Sequence, residues 1–393
     1  MLLRILPILL LLIIVPPIFL DRKLWRNRLK KKWRVMLFLP NVSLLIAAIA
    51  LTCNETHTPI NNTLIHLFLT LFLGYAATTA IFALFFAIGH ACRRHLGLRN
   101  LIYAIGGLLA LGNLYVVIVG TTYGKYHITS RHTLISSPSL PQSFDGYRIV
   151  QLSDLHLGSY GSNTRFVKQL TEMVNAEQAD LIVFTGDLVN FNAQEVEPFV
   201  EELGKLRAQD GVVSILGNHD YLGYVKWETP EAQKQQIRNL CDAQRHMGWQ
   251  LLLNQKRFVR RGNDSIAIIG VENDGKPPFP QRADLKKAQR GIPKKLSGEA
   301  FFKILLTHDP SHWRRNVLPE TDIQLTLSGH THGGQLRLWG IAPVKWFLKE
   351  WSGLYIEGAR KLYVSSGLGE ALFTFRYGIW PQYEVIILQK NSS

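Results

Sequence analysis

The sequence predicts a chain in two parts, a four-helix transmembrane unit followed by an α/β domain, and three observations carry that expectation. The first third holds four long apolar runs without a single Asp, Glu, Lys or Arg. From about Ser143 the pattern changes to short apolar runs separated by polar, helix-compatible stretches, which is the alternation of an α/β domain. Five of those short runs stop at small or polar residues followed by Asp, Asn or His. Residues just beyond the carboxyl ends of strands in an open α/β sheet can reach one crevice.

The four apolar runs are 5–20, 35–52, 64–89 and 101–120, each near the ~17 to 25 residues a membrane helix needs. Arg4 before the first run also fits a signal peptide, but Pro16 and Pro17 followed by bulky residues offer no small-residue cleavage site, so a retained helix is expected. Pro40, Asn41 and Ser43 make the second run the weakest, although neighbouring helices can satisfy such residues. Gly74, Ala76, Ala77, Thr78 and Thr79 in the third run, and Gly106, Gly107 and Gly112 in the fourth, suit close helix packing. Of the residues that could carry a charge inside the membrane, these runs offer only His66, with His90 at the edge of the third, so a transport path is not indicated.

Charge sets the expected orientation. The 393 residues hold 44 Lys and Arg against 29 Asp and Glu, a net +15. Residues 1–129 contribute +11 of that and the remainder +4. Segment 21–34 carries eight Lys and Arg, 53–63 none and 91–100 three. Positive loops stay in the cytoplasm, which predicts a multi-pass inner (plasma) membrane protein whose chain beyond about Thr121 is external or periplasmic. The basic balance records topology, and no nucleic-acid partner is indicated. Cys53, Cys92 and Cys241 lack C-x-x-C spacing, which argues against a disulfide framework or a thiolate zinc site.

The expected domains are the transmembrane unit 1–121, a linker 122–142 marked by Ser136, Ser137, Pro138 and Pro141, and an α/β domain 143–393. Strands are expected at 147–152, 181–185, 212–216, 266–271, 303–307, 323–327, 362–365 and 384–388, and helices at 164–176, 193–208 and 231–247. No repeat or low-complexity tract interrupts them.

The five strand ends read Ser153-Asp154-Leu155-His156, Gly186-Asp187, Gly217-Asn218-His219-Asp220, Thr307-His308 and Gly329-His330-Thr331-His332-Gly333-Gly334. Singly, Asp154 and Asn218 are turn or cap residues and His308 an ordinary polar residue. Together they offer two Asp, four His and one Asn, a hard oxygen and imidazole set suited to Mn, Fe or Zn in a hydrolytic site. A carboxylate from another strand end can bridge two ions ~3.5 to 4 Å apart, the spacing used at phosphorus. Asp309 before Pro310 reads instead as a helix N-cap.

With D-L-H, G-D, G-N-H-D, an isolated His after a strand and G-H-T-H-G-G-Q in this order, the segment 148–335 resembles the calcineurin-like metallophosphoesterase superfamily. The stretch Tyr363-Val364-Ser365-Ser366-Gly367-Leu368-Gly369 resembles its membrane-associated bacterial branch. The resemblance implies an α/β/β/α sandwich of two mixed sheets with flanking helices, and two divalent metal ions. It assigns Asp154, His156 and His332 to the first ion, Asn218, His308 and His330 to the second, and Asp187 to the bridge. His219 matches the catalytic histidine, and Asp220 the carboxylate that orients it. A four-helix membrane unit departs from the many relatives with one anchor or none.

The function this implies is hydrolysis of a phosphoester or pyrophosphate bond by a metal-bridging hydroxide, with His219 stabilising the phosphoryl group or protonating the leaving oxygen. A lipid-linked or cell-envelope phosphoester is the expected substrate, with membrane lipids as partners. Relatives that hydrolyse UDP-2,3-diacylglucosamine in lipid A metabolism supply one alternative. A catalytically silent metal-binding scaffold is another, which the intact G-N-H-D disfavours, and a gated transporter is disfavoured by the charge-free helices. Trp339, Trp346, Phe347, Trp351 and Tyr355, interspersed with Lys345 and Lys349, read either as core plus lid or as an amphipathic rim at the bilayer. Arg337 and Arg376 are candidate partners for phosphate charge.

Overall fold

The computed structural model describes residues 2–53, 59–296, 299–370 and 374–391. It divides into two compact units, Met1–Tyr123 with Leu372–Phe375, and Gly124–Ala371 with Arg376–Ser393.

The first unit is helical: α1 (Leu2–Leu20), α2 (Lys31–Cys53), α3 (Pro59–Leu71), α4 (Thr78–Ala91) and α5 (Leu96–Thr122). A π-helical turn, Phe72–Ala77, joins α3 to α4. Residues 54–58 of the 53–63 segment, which has no Lys or Arg, lie outside the described residues. Three helical stretches among the described residues are long and apolar enough to cross a membrane, Lys31–Thr52, Leu64–Ala91 and Leu96–Tyr126. This corrects the expectation of four. The first apolar run is helical, but Pro7, Pro16 and Pro17 lie inside α1, and each removes a ladder donor and crowds the preceding turn.

Polar groups inside the spans find partners across helices. Asn41 donates to the Ile13 carbonyl at 2.9 Å, and the Tyr75 hydroxyl donates to Asn41 Oδ1 at 3.2 Å. The π turn displaces carbonyls from the regular ladder, and Asn113 Nδ2 donates to one of them, Leu73, at 2.9 Å and to Thr78 Oγ1 at 2.8 Å. These bonds keep irregular backbone compatible with an apolar surround. Of the small residues in α5, Gly106 lets the Phe85 side chain approach, since a Cβ there would stand 2.3 Å from Phe85 Cβ.

The second unit is a sandwich of two sheets. Its strands are β1 (Thr129–Ser137), β2 (Arg148–Leu152), β3 (Leu181–Phe184), β4 (Val212–Ser214), β5 (Gln250–Leu251), β6 (Gln255–Arg261) and β7 (Asp264–Gly270). They continue with β8 (Lys295–Leu296), β9 (Glu299–Ala300), β10 (Lys303–Leu306), β11 (Leu325–Ser328), β12 (Gly353–Glu357), β13 (Arg360–Val364) and β14 (Gln382–Lys390). One sheet runs β1-β14-β2-β3-β4-β5 and the other β12-β13-β11-β10-β7-β6, while β8 and β9 form a separate hairpin. Both large sheets are mixed: β14 and β2, β12 and β13, and β6 and β7 pair antiparallel, and the other neighbours pair parallel.

Side-chain alternation builds the layers. Ile149, Leu181 and Val183 point between the sheets, where they meet Ile304, Leu306, Leu325 and Leu327. Their neighbours Val150, Ile182 and Phe184 point the other way, against Leu170 of α6 (Arg165–Ala176), Leu203 of α7 (Val200–Leu203) and Leu240 of α8 (Pro230–His246). Leu305 and Ile269 of the second sheet face Trp313 and Val317. The arrangement is the expected α/β/β/α sandwich.

The eight expected strands are present to within two residues at each end. Helix 193–208 is shorter than expected: a 3₁₀ segment, Ala193–Phe199, precedes α7, and Pro198 within it cannot continue an α ladder. In the expected linker 122–142, Thr129–Ser137 is not a tether but an edge strand paired with β14 over its full length.

Candidate metal centre

The candidate ligands sit in the turns that follow β2, β3, β4, β10 and β11. The turns demand unusual backbone. Among the described residues, ten non-glycine residues have positive φ, and five of them are Asp154, His156, Asp187, His330 and His332. Left-handed backbone at such residues costs of order 1–3 kcal/mol each and is kept where the surroundings over-determine it. Gly217 is required for a different reason: a Cβ there would lie 2.3 Å from Asp187 Oδ1.

Three overlapping groups of ligand atoms result, each within 4.8 Å of one another: Asp154, His156 and His332; His156, Asp187 and His219; and Asp187, His308 and His330. Asp187 stands at the junction, with Oδ2 3.6 Å from His156 Nε2 and 3.1 Å from His308 Nε2. Its Oδ1 accepts the His219 backbone N–H at 2.8 Å. His332 Nε2 lies 3.1 Å from His156 Nε2 and 3.5 Å from Asp154 Oδ1. The His330 backbone N–H donates to both Asp154 oxygens at 3.0 Å. Every ligand candidate except His330, which is half-buried, is buried.

Backbone carbonyls orient the imidazoles. His308 Nδ1 lies 2.8 Å from the Thr185 carbonyl, and His332 Nδ1 lies 3.3 Å from that of Gly369. A carbonyl only accepts, so His308 Nδ1 carries a proton and its Nε2 is the atom turned toward Asp187 and open to a metal, whereas His332 Nδ1 stands between the Gly369 carbonyl and the donor-only Arg376 guanidinium, 3.3 Å from each. Burial holds the imidazoles of His156 and His332 well below their ordinary value, with neighbouring cationic groups adding to the effect. At Asp187 burial opposes the charge, but His308 and His219 outweigh it and hold the carboxyl well below its usual range. This carboxylate needs positive charge beside it, and a divalent ion supplies that as an imidazolium does.

Asn218 also fits a ligand role. Its Nδ2 donates to the Tyr224 hydroxyl at 2.7 Å, leaving Oδ1 buried without a hydrogen bond. That fixes the amide with its better metal ligand free. Among the described residues, the donor set of carboxylates, imidazoles and one amide oxygen therefore suits two hard or borderline divalent ions.

Two expectations are corrected. Asp220 does not orient His219. Its oxygens accept the backbone N–H groups of Asp187, Leu188, Val189 and Gly217 at 2.8, 2.8, 3.2 and 2.9 Å, which ties the β3 turn to the β4 turn. His219 Nδ1 instead lies 2.8 Å from the Asn190 carbonyl. Arg376 is fully buried, and its guanidinium donates to the Ser366 and Gly369 carbonyls, which removes it as a free phosphate partner. Arg337 lies over the Trp351 ring, 5.8 Å from its centroid. Asp309 caps Ser311 N–H at 2.8 Å as expected, while its other oxygen stands 3.8 Å from His330 Nε2.

Sequence reasoning missed Asn190, Tyr224 and Phe279. Tyr224 stacks on His219 with centroids 4.3 Å apart, and Phe279 meets His330 edge-on at 5.1 Å. None sits in a motif, and chain folding alone brings them to the ligands.

The family model described as calcineurin-like phosphoesterase matches residues 147–334. The chain is 31% identical over 309 residues to the uncharacterized metallophosphoesterase YkuE of Bacillus subtilis, an alignment covering 75% of this chain and 98% of that protein. It is 30% identical over 203 residues to a transmembrane protein with metallophosphoesterase domain from Danio rerio, covering 50% of this chain and 43% of that longer protein. It is 28% identical over 282 residues to the UDP-2,3-diacylglucosamine pyrophosphatase LpxG of Chlamydia trachomatis, covering 59% of this chain and 81% of that protein.

Proposed function

The chain belongs to the calcineurin-like phosphoesterase family, and from that premise we propose a membrane-bound dinuclear-metal phosphoesterase acting on a lipid-linked or cell-envelope phosphoester or pyrophosphate. Metal-dependent phosphoester hydrolysis is its chemistry. The observation that carries the dinuclear reading is the set of overlapping ligand groups that meet at Asp187.

Asp154, His156 and His332 would hold one ion, Asn218, His308 and His330 the other, and Asp187 both. Two divalent ions there would supply Lewis acidity at phosphorus and a water of lowered pKa. Asp220 keeps the β3 and β4 turns in register through its four accepted N–H bonds, so Asp187 and Asn218 present their oxygens together. His219 donates from Nδ1 to the Asn190 carbonyl, which leaves Nε2 to exchange a proton with the leaving oxygen. Tyr224 on one ring face restricts how that imidazole turns.

The chain would organise as the transmembrane unit 1–121 and a phosphoesterase domain reaching residue 393, with β1 drawn from 122–142 into the domain. The domain would be external or periplasmic on an inner (plasma) membrane. A lipid-linked substrate is favoured because membrane spans and the phosphoesterase domain share one chain. The relative named as a UDP-2,3-diacylglucosamine pyrophosphatase supports a second reading, a pyrophosphate bond in a glycolipid precursor.

The test is turnover by the full chain in detergent with Mn²⁺, on a chromogenic phosphodiester and phosphomonoester, and on extracted envelope lipids read by mass spectrometry. Asp187→Asn is expected to lose bound metal and activity together. His219→Ala is expected to keep metal and lose ~10²- to 10⁴-fold in kcat. Full activity of His219→Ala overturns its role, and release of UMP from UDP-diacylglucosamine selects the second reading.

A further inference from the structure

The segment from Leu338 to Glu350, between the metal loop and β12, divides its side chains sharply. Trp351 and Tyr355 are packed, with the Tyr355 hydroxyl accepting the Trp351 N–H at 2.9 Å. Trp339, Trp346 and Phe347 are 91%, 67% and 82% exposed, with Ile341 and Leu348 exposed beside them in sequence. Large apolar side chains grouped in solvent mark an interaction surface.

Trp339 is costly twice over. Leu338 and Ile341 exchange backbone hydrogen bonds at 2.9 and 2.8 Å, closing a two-residue hairpin turn. Trp339 (φ 48°) and Gly340 (φ 81°) form its tip. Such a turn favours Asn or Asp before Gly, and a bulky residue at positive φ is strained. A tryptophan that is strained and bare to solvent is not there for folding.

Charge selects the partner. Lys345 and Lys349 are exposed on this segment, and its single acid, Glu350, is turned inward and paired with Arg314. The outward face therefore offers only aromatic, aliphatic and cationic groups. That is the composition that settles at an anionic lipid–water interface, where indole rings sit at headgroup depth and each Lys near the surface adds to the attraction. The same chain carries three helical stretches among the described residues long and apolar enough to cross a membrane, which would keep a bilayer within tethering reach. The segment is also fixed to the metal loop: the Thr331 hydroxyl donates to the Trp351 carbonyl at 2.6 Å, and Val344 packs on Gly334.

We propose that the Trp339–Lys349 segment is an interfacial anchor that dips into the anionic surface of the bilayer and holds the mouth of the metal centre at headgroup level. The anchor stands on its own observations. Only its consequence for turnover rests on the lipid-linked reading of the substrate.

The experiment uses the full chain with its three cysteines changed to serine and one new cysteine, Phe347→Cys, labelled with an environment-sensitive fluorophore. Glu231→Cys, exposed on α8, is the control. In phosphatidylcholine–phosphatidylglycerol proteoliposomes containing spin-labelled lipid, the fluorophore at 347 is expected to be blue-shifted and quenched ~3-fold more than the control, and less so without phosphatidylglycerol. Equal quenching at the two positions overturns the proposal, as does a blue shift without lipid quenching, which assigns the surface to a protein such as a second copy of this chain. Trp339→Ser with Phe347→Ser is expected to lower turnover of a vesicle-embedded phosphodiester ~10-fold more than that of a soluble one. Quenching intact with no phosphoester turned over sinks the proposed function and leaves the anchor standing.

Discussion

Tyr224 lies six residues beyond Asn218, and its hydroxyl accepts the Asn218 amide proton at 2.7 Å. Partners that orient a ligand typically contribute ~10- to 100-fold in metal affinity. Tyr224→Phe is therefore expected to weaken metal binding at least ~10-fold with the fold intact, read by calorimetric metal titration. An unchanged affinity shows that Asn218 is held by something else. Glu370 tests electrostatics away from the ligands. It is buried and neither carboxyl oxygen has a hydrogen-bond partner among the described residues. Burial raises its pKa from 4.5 to about 7, with Arg376 and Lys125 only partly offsetting the rise. The folded state thus holds this proton more tightly than the unfolded chain. Its stabilising contribution is full below pH 4.5, is lost as pH rises toward about 7, and is flat above that. Glu370→Gln is expected to gain stability over the natural chain between pH 5 and 8, by roughly 3 kcal/mol at most, seen as a widening Tm difference. A pH-independent difference removes Glu370 as the source. At this scale the ligands themselves were legible because they occur in short motifs at strand ends. Tyr224, Asn190 and the true role of Asp220 were not, because they depend on which backbone groups two separate turns bring together.

Among the elements, β1 departs most from its sequence pattern. Ser136, Ser137 and Pro138 read as a tether, yet Thr129 to Ser137 pair with Gln382 to Lys390. Ile135, Leu140 and Phe144 enter the core between the sheets. A chain beginning at Gly124 is expected to be soluble and to unfold cooperatively. One beginning at Ser143 loses the burial of Ile135 and Leu140, worth ~1.5–3 kcal/mol each, leaves the edge of β14 unpaired, and is expected to aggregate. Size-exclusion chromatography and thermal melts of the two compare them directly, and equal behaviour returns the segment to a tether. β6 was missed for a related reason: Gln255 to Arg261 is too polar to read as a strand, and it forms because β7 offers an antiparallel edge. Buried central strands, by contrast, announce themselves as apolar runs.

For the whole molecule, three spans in place of four leave the proposed side of the catalytic domain unchanged. The eight basic residues of 21–34 precede the span Lys31–Thr52 or overlap its start, and Arg93 and Arg94 lie between Leu64–Ala91 and Leu96–Tyr126. Holding both basic segments in the cytoplasm sends the chain outward after the third span. A reporter active only in the cytoplasm, fused after Ser393, is expected to be silent, and a bright signal reverses the topology. The sequence by itself determined the two-part organisation, the alternating α/β order and the seven candidate ligands. Hydropathy, side-chain period and strand-end motifs are local properties of the chain. Only the tertiary structure decided the recruitment of β1. It also decided the partner of His219 and which aromatics of 339–355 face solvent. Each of these depends on contacts between residues far apart in the chain, or on backbone strain that no composition encodes.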